Sequence, residues 1–139
     1  MTYVYCAYVQ ASFTPNTDTL AIEIDAPANV TLRIRKIRIM HGDGTATTSA
    51  DYHLKTKIIA ESVAGTGGSS YTPIPKDQNG PASVSTVKTA LTAVGTIDKT
   101  FEIYSKHSTT DLYWQASDED DQMVVKPGNM FGIVVNPAN

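Results

Sequence analysis

Residues 30–40 read VTLRIRKIRIM. Val30, Leu32 and Ile34 share one parity, Ile37 and Ile39 share the other, and Arg35 and Lys36 stand side by side where the phase slips. Alternation with a period of two marks a half-buried strand rather than a helix. An uncorrected slip of one residue would turn one apolar set to solvent, whereas an extra residue at the slip keeps both sets on the core side. The stretch therefore predicts a β-strand with a bulge or sharp bend near Arg35.

The flanking sequence keeps the same period. TLAIEID places Leu20, Ile22 and Ile24 on one face and Ala21, Glu23 and Asp25 on the other. DYHLKTKIIA turns Tyr52, Leu54, Thr56 and Ile58 inward and His53, Lys55 and Lys57 outward. KTFEIYSKHS sets Phe101 and Ile103 against Glu102, Tyr104 and Lys106. DLYWQA and QMVVK flank the acidic turn SDEDD, and Pro127-Gly128 fits the central positions of a type II turn into MFGIVVN. SVSTVKTALTAVG spaces Val84, Val87, Leu91 and Val94 as a helix would, but its Ser, Thr and Val content favours a strand over 83–89 and a short loop after it. TYVYCAYVQ is apolar on both faces and reads as a strand covered on both sides. HGDGTATTSA is a Gly- and Thr-rich turn. The sum is about eight or nine short strands separated by turns, the pattern of an all-β sandwich or barrel.

Composition agrees. Thr, Val and Ile together number 40 against five Leu, and β-branched side chains suit a pleated surface better than a helix bundle. A chain of 139 residues forms one domain, 1–139, with no linker or internal repeat. Cys6 is the lone cysteine, so no internal disulfide exists. The N-terminus lacks the basic and apolar regions of a signal peptide, and no run approaches a membrane span. The expected place of synthesis is the cytoplasm. The net charge of −3 lacks the basic excess usual in nucleic-acid binders.

Residues 65–83, GTGGSSYTPIPKDQNGPAS, break the alternation. Loops this long are uncommon in small domains and often functional. Pro73 and Pro75 fix φ and push Thr72 and Ile74 toward extended geometry, so YTPIP is a semi-rigid run rather than a floppy linker. Either it packs on its own domain as an Ω-like loop, or it docks on a partner through Tyr71 and Ile74.

NVTLRIRKIRI, GGSSYTPIPKDQNGPAS, AVGT at 93–96 and the closing VKPGNMFGIVVN together resemble the jelly-roll cement or decoration proteins of tailed-bacteriophage heads, over roughly residues 28–137. The resemblance implies an antiparallel jelly-roll sandwich that binds the outside of a capsid, often as a homotrimer. It implies a major capsid protein or other virion protein as partner, location on the virion surface, no enzymatic activity and no cofactor. The same pattern also fits a carbohydrate- or receptor-binding module of a phage tail appendage.

Three groups of residues are candidates for protein contacts. Tyr3, Tyr5 and Tyr8 make residues 1–12 a contact arm or an edge strand, since tyrosine is enriched at interfaces. Arg33, Arg35 and Arg38, with Lys36, form a basic face that is simply solvated, pairs with acids such as Glu23 and Asp25, or binds a partner. Tyr71, Thr72, Pro73, Ile74 and Pro75 form the third group. No aromatics interleave the basic residues, which argues against nucleic acid. Tyr113 and Trp114 are the alternative glycan platform, with Leu112 and Trp114 sharing a face that also suits a core.

Catalytic and metal readings find little. His41, His53 and His107 have no zinc-ligand spacing. The acids at 118–121 are consecutive rather than alternating around a glycine as a calcium loop requires, so they read as a solvated hairpin tip. GTGGSS lacks the Lys-Ser/Thr ending of a phosphate loop, and no G-x-S-x-G occurs.

Overall fold

The computed structural model describes residues 3–40, 53–107 and 111–138. The turn expected at 41–50 with His41, the inward Tyr52 and the side chain of His107 lie outside the described residues. Twelve strand segments and no helix occur among those described. They are β1 (Tyr5–Cys6), β2 (Thr19–Asp25), β3 (Leu32–Ile34), β4 (Lys36–Ile39), β5 (His53–Val63), β6 (Ser69–Tyr71), β7 (Ile74–Pro75), β8 (Val87–Thr89), β9 (Thr96–His107), β10 (Leu112–Gln115), β11 (Met123–Val125) and β12 (Met130–Ala138). The count exceeds the expected one because several segments are only two or three residues long.

Six segments form one antiparallel sheet in the order β6-β8-β2-β12-β5-β9. β3 and β4 pair with β11 and β10 and form a second layer in front of it. Between the layers lies the main core, where Ile37, Met123 and Val125 meet Ile58, Ala60 and Phe131. Burying aliphatic side chains of this size stabilises by about 1.5–3 kcal/mol each. The arrangement is an all-β sandwich.

The slip at Arg35 is resolved as its sequence requires. The strand breaks there between β3 and β4, Arg35 is exposed, and Ile34 and Ile37 both pack against the core despite their opposite parity. The surplus chain lies in the partner: residues 116–122 stand opposite the single residue Arg35, between the pairs Gln115↔Lys36 and Met123↔Ile34. The acidic run is therefore an excursion from a strand that resumes on the same neighbour, not the tip of a hairpin. The Pro127-Gly128 turn is as expected, with Gly128 at φ +84° and the Asn129 N–H donating to the Lys126 carbonyl at 3.1 Å.

Elsewhere the faces differ from simple alternation. In β2, Val134 opposes Leu20 while Ile133 opposes Ile22, leaving Ala21 as an extra residue. Leu20 is thereby carried to the back of the sheet, where it packs with Ile59, Leu91 and Val134, while Ile24 packs in front. β2 is thus buried on both faces, not half-buried. In β9, Ile58 opposes Glu102 and Ile59 opposes Thr100, so Phe101 is the extra residue. Phe101 reaches the core as expected, but beyond it the parity reverses: Tyr104 packs against the core and Ile103 is 67% exposed. The strand expected over 83–89 is confined to β8. The N-terminal run is a strand only at β1, and it is not covered on both faces, since Cys6, Tyr8 and Gln10 on one of them are exposed.

Candidate interaction surface

The arm and the long loop, read separately in the sequence, close on each other. β1 and β7 pair antiparallel, Tyr5 with Pro75 and Cys6 with Ile74, and the Lys76 N–H donates to the Val4 carbonyl at 2.8 Å. The Tyr71 hydroxyl donates to the Tyr8 carbonyl and accepts from the Tyr8 N–H, each at 2.6 Å. The two rings lie 6.0 Å apart at 45°, within the range of favourable aromatic pairs. Proline suits β7, since a two-stranded edge needs fewer N–H donors than an inner strand. β6 continues into the main sheet by pairing with β8. Residues 65–83 thus include two ladders, one to the sheet and one to the arm, so the Ω-like reading describes the backbone.

The clasp still presents apolar surface. Tyr8 is 67% exposed, and Tyr3 and Ile74 are nearly half-exposed. Beside it opens a shallow cleft of about 280 Å³ lined by Tyr8, Val9, Gln10, Tyr71 and Thr89. Thr72 is exposed, Tyr5, Tyr71 and Pro75 are half-buried, and Pro73 is buried. Pro73 is therefore unavailable as a contact, and Tyr71 serves the clasp more than solvent.

Arg33, Arg35 and Arg38 are not part of this surface. They point to solvent from β3, the break and β4 in the second layer. Their expected acidic neighbours are engaged elsewhere: Glu23 accepts from the Gly65 N–H at 2.7 Å and Asp25 from the Thr86 N–H. Arg38 instead pairs with Asp111 at 3.3 Å, both half-exposed, which contributes at most about 1 kcal/mol. Lys36 lies over the Tyr113 ring, 5.1 Å from its centroid.

Tyr113 and Trp114 occupy opposite faces of β10 and do not form one platform. Tyr113 is exposed and donates to Gln115 Oε1 at 2.7 Å, whereas Trp114 is partly buried against the core. Trp114 also lines an open cleft of about 550 Å³ with Phe101, Lys99, Glu102, Gln115 and Gln122. In the acidic excursion, Asp118 Oδ1 accepts the N–H groups of Asp120 and Asp121 at 2.9 and 3.2 Å. That carboxylate is turned onto its own backbone. No group of three or more metal-ligating side chains occurs among the described residues.

The feature the sequence reading missed is a pair of buried acids, Glu23 and Glu61, on the back of the main sheet. The signal was present: Glu61 ends the run IIAE, in which Ile58, Ile59 and Ala60 leave neither face polar. No family model, curated protein or solved structure matches the chain.

Proposed function

We propose that the chain is a structural virion subunit, a jelly-roll cement or decoration protein that binds the outside of a tailed-phage capsid through protein contacts and performs no chemistry. The observation that carries this reading is the clasp. Two segments far apart in sequence are braced together so that Tyr3, Tyr8 and Ile74 are held outward on ordered backbone. Bracing lowers the ordering cost of docking. The chain acts as a homotrimer. Each subunit buries part of a standard interface of roughly 1,200–2,000 Å², and three linked contacts raise avidity by about 10²–10⁴.

Light scattering on the purified protein and co-sedimentation with stripped capsids test it. A trimer that binds capsids, with binding weakened at least about tenfold by Ile74→Asp or Tyr8→Ser, supports the reading. A monomer at high concentration that leaves capsids bare overturns it.

A second reading rests on the cleft under Trp114. An indole beside Phe101, flanked by Glu102, Gln115 and Gln122, combines an apolar ring with hydrogen-bonding groups, the chemistry that recognises a sugar ring. It corresponds to a receptor-binding module of a tail appendage. Glycan-array binding that is lost in Trp114→Ala favours it, and an empty array removes it.

A further inference from the structure

Glu23 and Glu61 are 2% and 0% exposed. They lie on β2 and β5, on either side of β12, where Gly132 pairs with both Glu23 and Ile59. A Cβ on Gly132 would crowd Leu20 Cδ1 at 2.9 Å and Ile59 Cγ1 at 3.2 Å and would touch Glu61 Oε2 at 3.5 Å, so the bare backbone of Gly132 lies beside the Glu61 carboxyl. Each carboxyl accepts one backbone N–H from a loop covering the sheet: Gly65 to Glu23 Oε2 at 2.7 Å, and Gly95 to Glu61 Oε1 at 2.9 Å. Glu61 Oε2 is buried and meets no donor among the described residues, while the Glu23 carboxyl is its neighbour. Two buried carboxylates in contact cannot both stay ionised cheaply, because each loses hydration and repels the other.

We propose that Glu23 and Glu61 hold one proton between them, and that this shared proton latches loops 64–68 and 90–95 onto the back of the sheet. With the proton on Glu61, its O–H donates to Glu23, and two repelling acceptors become a donor and an acceptor. The remaining charge sits on Glu23, held by the Gly65 N–H and faced by the half-buried Lys88, its direct partner across the β2–β8 ladder.

Several other charged groups on the surrounding elements are engaged elsewhere, and Lys55 on β5 and Glu102 on β9 are exposed. On β5, Lys57 shares the face of Glu61 and pairs with Asp18 at 3.7 Å. On β2, Asp25 accepts from Thr86. On β9, Asp98 accepts from Asn129 at 3.4 Å and Lys99 lies over the Phe101 ring. β12 and the two loops carry no ionisable side chain.

Burial, with Glu23 alongside, pushes Glu61 up from 4.5 to about 8. The folded chain therefore keeps a proton that the unfolded chain releases above about 4.5. The latch is whole below that pH and is lost as pH rises toward about 8. Loop 64–68 runs directly into β6 and Tyr71, so an open latch loosens the root of the clasp. This inference does not depend on what the clasp binds.

Carboxyl ¹³C titration and amide exchange at Gly65 and Gly95, corrected for intrinsic base catalysis, test the proposal. In the wild type, Glu61 Cδ is expected to titrate near pH 8. The opening constants of both amides rise by up to about tenfold per pH unit between about pH 5 and 8, the slope of one linked proton. In Glu61→Gln, whose amide keeps the shape and donates to Glu23 without titrating, that slope disappears. A Glu61 carboxyl titrating below about pH 5, or pH-independent opening in the wild type, overturns the proposal. If the variant does not fold, the wild-type carboxyl titration decides alone.

Discussion

At Gly95 a methyl group would lie 1.9 Å from the Val63 carbonyl oxygen and 2.7 Å from the Ala64 carbonyl carbon, both backbone atoms that cannot step aside. Gly128 has the opposite problem, open space around it but a φ of +84°. Gly95→Ala is therefore expected to cost about 3 kcal/mol or more through a forced backbone shift. Gly128→Ala should cost about 1–2 kcal/mol through left-handed strain alone. Urea unfolding of the two variants separates them, and similar midpoints would contradict the close approach at Gly95. Ile103→Thr should change stability by less than about 0.5 kcal/mol, although alternation alone marks Ile103 as core. The misreading has a local cause. One surplus residue at Phe101 switches the faces of β9 beyond it, yet leaves the pattern of apolar and polar letters intact.

The longer elements were legible because their period is two and their breaks carry Gly, Pro or paired charges, whereas β6 and β7 lay hidden in the stretch read as a loop. The slip at Arg35-Lys36 announced the break between β3 and β4 for that reason. The union of arm and loop was not legible, since alternation names a strand but not its partner. Tyr71→Phe tests that union. It removes a hydroxyl that makes two hydrogen bonds to Tyr8, each worth about 1 kcal/mol. Cleavage by a dilute protease within residues 3–10 should rise about tenfold or more, while the melting temperature of the sandwich stays within about 2 °C. Unchanged cleavage would mean that the β1–β7 ladder holds the arm unaided. The coverage of the sheet's back was also hidden, because residues 65–68 read as the start of the long loop and 90–95 as a short loop, and neither names the surface it covers.

Across the whole molecule, the sheet order places β2 and β12 side by side at the centre, with β5 on the outer flank of β12. Removing residues 130–138 should therefore abolish cooperative unfolding, whereas removing residues 1–10 should lower the melting temperature by only a few degrees, about 1–2 kcal/mol of local contacts. Thermal melts followed by circular dichroism distinguish the two. Comparable losses would place the centre of stability elsewhere. The sandwich class was readable from composition and turn spacing. The neighbours within the sheet were not, because pairing between residues separated by most of the chain leaves no local trace.

That central position of β12 has a consequence for biogenesis. A ribosome delivers β2 and β5 long before the segment that must slot between them, so Leu20, Ile58 and Ile59 wait unpaired, their strand edges open to other nascent chains. Overexpression should therefore be limited by the interval between making residue 63 and releasing residue 138. Slower translation would lengthen that hazard rather than relieve it.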